Sequence, residues 1–598
     1  MFRSIPPRAR RRVPAALALA LCAYAALLRL EPIAARYGPF DHPAWLRAVT
    51  THVAPLATHV RPASFQWARV PNPYAGGDPI SYLRFAREMK SFYQAHVREP
   101  MFLALTRAWL WLTADQDVGI SFASASASVA AVFATYLLGA TAFSPPIGLF
   151  AALAFAIDWA VIDWSNGGWR DDLFACVVTF SAWAFVRVRR DPRARNAALL
   201  GVLLAAASLT RITALSFAIP ALLWSIVDAS RPERRARARA AAIAAVIAAL
   251  LVAPYLVNCA RAFGDPFIAI DVHTDYYLTA EGGPPGQSVG ALTYIADKIR
   301  HRPVAAADTA VVGLFVRPLA DKWSGLDFWI RGASVTLFWC AIAGLVLFAG
   351  SPNGRLLLVI LFASLVPYAF TWNVGDGGAW RFTMHAYPLL LVAAGYAVRQ
   401  AIRGIAALRD RASLNARLPA PLPIAVAMVV VVLVSVAAVR LPYFATREAL
   451  AAGEETTIVA GPRDDVFFVD GWLDPHTDGA VTSRVAAGTT ATLRLPVPVV
   501  RNYTLTLRVD PIGPDVPRSL GIVVNGRAVD QRRLSFDPNR VGAYDVFIPS
   551  TLIRRGSNTL QLVGDGTVAS SAAGPRYAWI APPRQIGFRF WYVRLHPA

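Results

Sequence analysis

Four stretches of the chain place carboxylates and arginines among aromatic residues where an apolar sequence has no need of them. In YAGGDPISYLRFAREMKSFYQAHVREPMF, residues 74–102, Asp78 follows Gly76 and Gly77, which permit a tight turn, and precedes Pro79, which suits the first position of a helix. That placement also suits a helix N-cap. An N-cap does not account for the next residues, because Tyr82, Phe85, Ala86 and Met89 recur at helical spacing, as in an amphipathic helix lying along a membrane surface. Arg98-Glu99-Pro100 then breaks the next segment. In IDWAVIDWSNGGWRDDLFACVVTF, residues 157–180, Asp158, Asp163, Asp171 and Asp172 crowd around Arg170. Carboxylates at the end of an apolar span are costly unless they have a partner or a task. A helix dipole would favour an acid at 171 or 172, but one suffices. Trp159, Trp164 and Trp169 read as interfacial anchors.

The third stretch, APYLVNCARAFGDPF at 253–267, ends an apolar run at Asn258 and Arg261 before a Gly-Asp-Pro turn. The fourth, WNVGDGGAWRFTMHAYPLLLVAAGYA at 372–397, leads from a glycine-rich turn through Arg381 and His385 into another apolar run. Arg211 separates two short apolar segments in SLTRITALSF. A lone arginine at a membrane edge is ordinarily a snorkelling anchor. Arg170, Arg211 and Arg381 together could instead make charge-assisted contacts to a phosphate at the membrane surface.

The elements that must position these residues follow from composition. The chain has 598 residues, 56% of them hydrophobic, and repeated apolar runs near the ~20 residues that cross a bilayer as a helix. It reads as a mainly α polytopic membrane protein. The formal net charge of +21 does not indicate nucleic acid, because the basic residues fall in short clusters between apolar runs. These are Arg3, Arg8, Arg10, Arg11 and Arg12; Arg187, Arg189, Arg190, Arg193 and Arg195; Arg231, Arg234, Arg235, Arg237 and Arg239; and Arg399, Arg403, Arg409, Arg411 and Arg417. Spans at 14–30, 119–142, 146–164, 171–187, 196–210, 212–228, 240–258, 331–349, 354–371, 382–398 and 421–441 give eleven crossings and put every cluster on one side, the cytoplasmic one by the positive-inside rule. The first span is expected to be a retained anchor rather than a cleaved signal peptide. Loops 31–118 and 259–330 and the region after the last span then face outward. Cys22, Cys176, Cys259 and Cys340 show no paired metal-binding spacing.

Residues 1–445 thus form the transmembrane domain and 446–598 a second one. In NYTLTLRV, Tyr503, Leu505, Leu507 and Val509 share one face of a half-buried strand, and LGIVVNG ends in the hairpin pair Asn525-Gly526. AYDVFIPSTLIRRGSNTLQLVG and GFRFWYVRL read as further strands, giving a β-sandwich of about 130–150 residues. Such a domain can be a structural cap or can bind sugar. Trp472, Trp579, Trp591 and Tyr592 could stack on sugar rings, although aromatics in a sandwich are usually core.

The order of these pieces over residues 70–400 resembles the C superfamily of glycosyltransferases, in particular the branch holding the protein O-mannosyltransferases and the bacterial aminoarabinose transferases that act on lipid A. GGDPISYLRFAREM with REPMF is similar to that branch's first-loop Asp, amphipathic helix and Pro-containing re-entry; GGWRDDLF, SLTRITAL, APYLVNCARAFGDPF and RFTMHAYPLLLVAAG are similar to its later motifs. The chain departs from the branch in carrying Pro79 where a second acid is common, and one proline at the re-entry instead of two. GWLDPHTDGAVTSRVAAGTTATLRLPVP resembles the jelly-roll, carbohydrate-binding-like domains that some relatives carry outside the membrane.

The resemblance implies inverting transfer of a sugar from a polyprenyl-phosphate-linked donor to a periplasmic glycolipid, glycan or protein, by an enzyme of the inner membrane. It makes Asp78 the base and Arg170, Arg211 and Arg381 the phosphate clamp, with Asp171 orienting the acceptor or an arginine. Tyr82, Glu99, Asp172, Asn258 and His385 complete the expected substrate-binding set. No cofactor is expected. Lipid phosphate is a good leaving group, so a metal is not required, and Asp78 with Asp171 could at most hold a divalent cation through oxygen. Two other functions fit a polytopic chain: a lipid or sugar transporter, which would show charges in mid-span and related halves, and a non-catalytic sugar-binding scaffold.

Overall fold

The computed structural model describes residues 7–37, 43–62, 77–283, 286, 289–320, 323–372, 380–409, 421–478, 481–513, 516–529, 534–536 and 543–598. Gly76, the glycine-rich turn at 373–379, and Arg3, Arg411 and Arg417 lie outside the described residues. The chain divides into two compact units, one of Met1–Tyr294 with Val312–Val430 and one of Ile295–Val311 with Val431–Ala598.

The first unit is helical, and each of the eleven apolar segments is largely helical in it or begins the helix Pro421–Ala452. Among the described residues five helices are long and apolar enough to cross a bilayer, or six if one bent pair counts as a single span; Ala194–Thr210, Ile212–Val227 and Ala333–Ala349 are apolar but shorter. This is the architecture of a multi-pass membrane protein. Helices approach closely where the side chain is absent: a Cβ added to Gly148 would collide with the backbone of Tyr136 and Ala140, and one added to Gly344 with the carbonyl of Ala393. Small residues at such crossings replace hydrophobic burial as the basis of helix association in lipid.

Two expectations are corrected. The segment 146–164 is not one straight span but the helices Pro145–Ile157 and Trp159–Ser165, bent by 61°. The break is at Asp158, whose Oδ1 accepts the Val161 backbone N–H at 3.1 Å while Oδ2 accepts the Tyr387 hydroxyl at 2.6 Å; the carboxylate starts a new helix instead of riding in an old one. The helix Asp78–Glu88 does not lie on lipid through its apolar face: Tyr82, Leu83 and Ala86 are buried, and Tyr82 meets Phe102 of helix Pro100–Leu112 edge-on at 5.5 Å.

The second unit carries the β domain. Its eight principal strands are β1 Val481–Val485, β2 Thr490–Val497, β3 Tyr503–Pro511, β4 Ser519–Val524, β5 Arg527–Ala528, β6 Ala543–Ile548, β7 Gly556–Gly564 and β8 Phe588–Pro597. One sheet runs β6-β3-β8-β1 and the other β2-β7-β4-β5, all antiparallel. This nested order is a jelly roll. Leu505, Leu507, Val593 and Leu595 of one sheet share a core with Leu493, Leu560, Leu562 and Val524 of the other. Trp472 lies in this core region, and the Trp591 indole donates to Asp510 at 2.6 Å, so both are occupied by the domain itself. Within the same unit, the first N–H groups of helix Pro303–Val311, on Val304 and Ala305, donate to the Glu448 carboxylate at 3.1 and 2.8 Å.

The turn between β4 and β5 has Asn525 at φ 51° and Gly526 at φ 79°. Asn525 also donates to the Leu552 carbonyl at 2.8 Å and accepts from the Thr559 N–H at 3.1 Å. Asn525→Ala loses both bonds and puts a Cβ in the left-handed region. It should cost about 2 kcal/mol or more, read as faster limited proteolysis after residue 450 in the full chain.

Candidate functional site

Six of the sequence-selected residues meet in the helical unit. Asp78 is the first residue of helix Asp78–Glu88, and the cap position falls to Gly77 at φ 74°. Its carboxylate is therefore released from capping and turns to two arginines: Oδ2 lies 3.4 Å from Arg381 Nη1 and Oδ1 lies 3.6 Å from Arg98 Nη2. Asp171 opens helix Asp171–Arg190; its Oδ1 pairs with Arg211 Nη2, and its Oδ2 is 3.9 Å from Arg381 Nη1. Arg381 thus bridges the two aspartates. Arg170 pairs with Glu99, whose other oxygen accepts the Ile212 N–H at 2.9 Å and so ties the start of helix Pro100–Leu112 to the chain beyond Arg211.

Local structure explains these positions. Helix Ala194–Thr210 ends because Arg211 is extended, at φ −149° and ψ 117°, which turns its side chain into the cluster. Arg211 Nη1 donates to the Tyr368 hydroxyl at 3.1 Å. The turn before Arg170 is held from helix Val118–Ala142, where Ser121 donates to the Asn166 carbonyl at 2.7 Å and Ser124 to the Ser165 carbonyl at 2.6 Å. Arg381 lies in the 3₁₀ turn Trp380–Ala386 with its guanidinium 3.9 Å from the Trp169 ring centre and 5.9 Å from that of Trp164. Those tryptophans, expected as interfacial anchors, form a wall of the site through cation–π contact. Trp159 likewise stacks on Phe328, at 5.1 Å.

The remaining selected residues support the cluster from behind. Tyr82 is buried under Arg170, whose guanidinium is 5.9 Å from its ring centre. Asn258 donates to the Tyr93 carbonyl at 2.8 Å and, with Tyr255 donating to His96 at 2.9 Å, fixes the segment that carries Arg98 and Glu99. His385 is buried against Ser364, 3.1 Å away, with its ring edge-on to Phe174. Asp172 is buried one residue beyond Asp171, within electrostatic reach of Arg29.

Sequence reasoning missed Arg98, His273 and Tyr368. Arg98 was visible only as part of a helix-breaking triplet, and no local signal marks a residue of helix Ile268–Ala280 as a neighbour of residue 98.

Counted over these ion pairs among the described residues, the cluster sets four guanidiniums, on Arg98, Arg170, Arg211 and Arg381, against three carboxylates, on Asp78, Glu99 and Asp171. Among the described residues, the buried Nε atoms of Arg170 and Arg211 have no hydrogen-bond partner, and neither has Oδ2 of Asp171. That surplus of positive charge, walled by aromatic rings, favours an anion with acceptor oxygens. Removing one partner of a buried pair leaves an uncompensated charge, so Glu99→Leu should lower stability by about 3–5 kcal/mol, measured as a thermal shift in detergent.

Helix direction orients the cluster. Asp171 starts a helix that ends in Arg187, Arg189 and Arg190, about 30 Å away at 1.5 Å per residue. Helix Ala194–Thr210 runs the other way, from Arg193 and Arg195 toward Arg211, and helix Tyr387–Arg409 leads from Arg381 to Arg399 and Arg403. The cluster lies at the end of each helix opposite its basic terminus.

Residues 97–257 match the family model of the dolichyl-phosphate-mannose-protein mannosyltransferases, a segment holding Arg98, Glu99, Arg170, Asp171 and Arg211. None of the curated proteins matches the chain. Among solved structures, the oligosaccharyltransferase AglB from Archaeoglobus fulgidus, in complex with an inhibitory peptide and a dolichol-phosphate, is 13% identical over 72% of this chain and 55% of its own, with a TM-score of 0.39. ArnT from Cupriavidus metallidurans, bound to undecaprenyl phosphate, is 15% identical over 63% of this chain and 67% of its own, with a TM-score of 0.38. The protein O-mannosyltransferase complex of S. cerevisiae, bound to the sugar donor, is 17% identical over 42% of this chain and 34% of its own, with a TM-score of 0.29. The chain spans about half the length of the archaeal enzyme it matches.

Proposed function

We propose that the chain is an integral membrane glycosyltransferase that moves a sugar from a polyprenyl-phosphate-linked donor to a glycolipid, glycan or protein acceptor, with inversion at the anomeric carbon. The observation that carries this reading is the meeting of Asp78 with Arg381, 303 residues later in the chain, at a cluster with surplus guanidinium charge. The match of residues 97–257 to mannosyltransferases supports it. If the basic helix ends are cytoplasmic, as the positive-inside rule requires, the cluster opens on the periplasmic side of the inner membrane.

In this reading the donor phosphate sits among Arg170, Arg211 and Arg381. The acceptor oxygen or nitrogen attacks the anomeric carbon from the face opposite the phosphate, the bond from that carbon to the phosphate oxygen breaks, and its electron pair leaves with the phosphate. Asp78 takes the acceptor's proton. The guanidiniums stabilise the charge that develops on the leaving oxygen. Asp171 holds Arg211 and Arg381 in place for that task.

Mass spectrometry of envelope glycolipids and glycans tests this reading. A deletion strain should lack one sugar substituent that the parent carries, the wild-type gene should restore it and Asp78→Asn should not. Restoration by Asp78→Asn would defeat the catalytic assignment.

A further inference from the structure

We propose that His273 is a positioning residue whose Nε2 keeps Arg98 from closing onto Asp78, so that the carboxylate stays open to the acceptor; the inference rests on the transferase reading above. Helix Ile268–Ala280 brings this imidazole to the cluster. Its Nδ1 lies 2.8 Å from the Ala269 carbonyl, one turn earlier, so that nitrogen carries the proton and Nε2 is left as an acceptor. Arg98 Nη1 lies 3.4 Å from that Nε2, while Arg98 Nη2 lies 3.6 Å from Asp78 Oδ1.

An unrestrained guanidinium and carboxylate close to about 2.7–2.9 Å. Arg98 is instead divided between a neutral acceptor on one side and a carboxylate on the other. Arg381 stands off the second oxygen at 3.4 Å. Asp78 therefore sits in a cationic field that favours its charge, while neither oxygen is held at close hydrogen-bond distance by a described residue. A base needs both conditions, a stable anion and a free lone pair.

The groups around the imidazole keep it in this role. Arg98, Arg170 and Arg211 act on it, and Asp78 lies within its electrostatic reach. Burial, followed by the charges of Arg98 and Arg170, pushes its pKa down to about 3. On the other side of Arg98, its own N–H donates to His96 Nδ1 at 3.1 Å, and Glu99 follows it in sequence, committed to Arg170. An imidazole that stays neutral at every physiological pH accepts from Arg98 and never repels it.

Without the acceptor at 273, the Arg98 side chain loses one of its two partners among the described residues and is expected to collapse onto Asp78 Oδ1. His273→Ala should then lower kcat by about tenfold or more with donor KM changed less than about threefold. His273→Gln, whose amide oxygen can accept from Arg98, should keep most of the activity. The distinguishing result is in the double variant: Arg98→Ala combined with His273→Ala should be faster than His273→Ala alone, because the group that blocks the base has been removed. A merely structural role for His273 predicts additive losses and a lowered Tm shared by the Gln variant. His273→Ala within about twofold of wild type, or a double variant no faster than the single one, overturns the proposal.

Asp78→Asn run in parallel separates the two readings. If it is fully active in transfer, the assignment of Asp78 as the base fails and the role of His273 falls with it; if it is inactive and the double-variant rescue is missing, only the role of His273 falls. A readout independent of turnover is the ¹⁵N resonance that His273→Ala removes from histidine-labelled protein in nanodiscs. It should report a neutral Nδ1–H ring at pH 5, and a ring that titrates near its ordinary value contradicts the proposal.

Discussion

Asp78→Asn should lower kcat for sugar transfer by about 10²–10⁴-fold, the span that general base catalysis contributes, while the protein folds and binds donor. Asparagine keeps the shape of the side chain but has no lone pair basic enough to take the acceptor proton. It also removes one negative charge from the site proposed to hold the donor phosphate, so donor affinity should stay level or rise. Loss of binding together with loss of turnover would instead mark Asp78 as a structural ion-pair member.

The pH dependence of the wild type rests on the same group. Burial works to raise the Asp78 pKa, but Arg381, Arg170 and Arg98 outweigh it and hold the carboxyl below its ordinary value. The carboxylate is thus already formed across the neutral range, and Asp78 should contribute no loss of activity between about pH 5 and 8. Its acidic limb belongs below the ordinary carboxylate value, and Arg381→Ala, which removes the leading favourable charge, should move that limb upward. The linkage to stability has the same sign: a pKa lower in the folded than in the unfolded chain stabilises the fold above the unfolded value, and that contribution is lost as pH falls through the folded one.

The second large effect is expected at Arg211. Arg211→Met should reduce transfer by about 10²–10³-fold, the scale of losing one electrostatic contact to developing charge. Arg211→Lys should recover little, because an ammonium cannot serve Asp171, the Tyr368 hydroxyl and a phosphate together in the plane that the guanidinium does. The methionine variant also strands the buried Asp171 carboxylate and should lose about 3–5 kcal/mol of stability. Pairing Arg211→Met with Asp171→Leu separates the two consequences: Tm should recover, since an apolar pair can replace a buried ion pair, whereas transfer should remain lost.

Much of this arrangement was legible locally. Hydropathy located the long apolar helices, because crossing a bilayer demands a continuous run of apolar residues that no local interaction can imitate. That the cluster residues fall at the helix ends opposite the basic residues was legible as well. In the β domain, alternation in NYTLTLRV and the Asn525-Gly526 pair marked strand and turn, as both reflect short-range geometry. Contact across long separations could not be read. Nothing near residue 98 or residue 273 announces that the two side chains meet, and Trp164 and Trp169 carry the same local signature whether they face lipid headgroups or a guanidinium. The bend at Asp158 depends on Tyr387, 229 residues away. The apolar face of helix Asp78–Glu88 suits lipid and protein equally, and the neighbouring helix Pro100–Leu112 decides the matter.

A cluster of this kind either breaks a bond or escorts a lipid through the bilayer, and the two differ in what becomes of the donor. Purified wild-type chain in sealed proteoliposomes, supplied with a polyprenyl-phosphate sugar labelled in the sugar and a crude envelope acceptor fraction, distinguishes them. Label should appear in the acceptor fraction, free polyprenyl phosphate should be released in equal amount, and Asp78→Asn should stop both. Passage of the intact labelled donor across the membrane, with the sugar–phosphate bond unbroken and Asp78→Asn without effect on the acceptor fraction, would contradict bond breaking at this site.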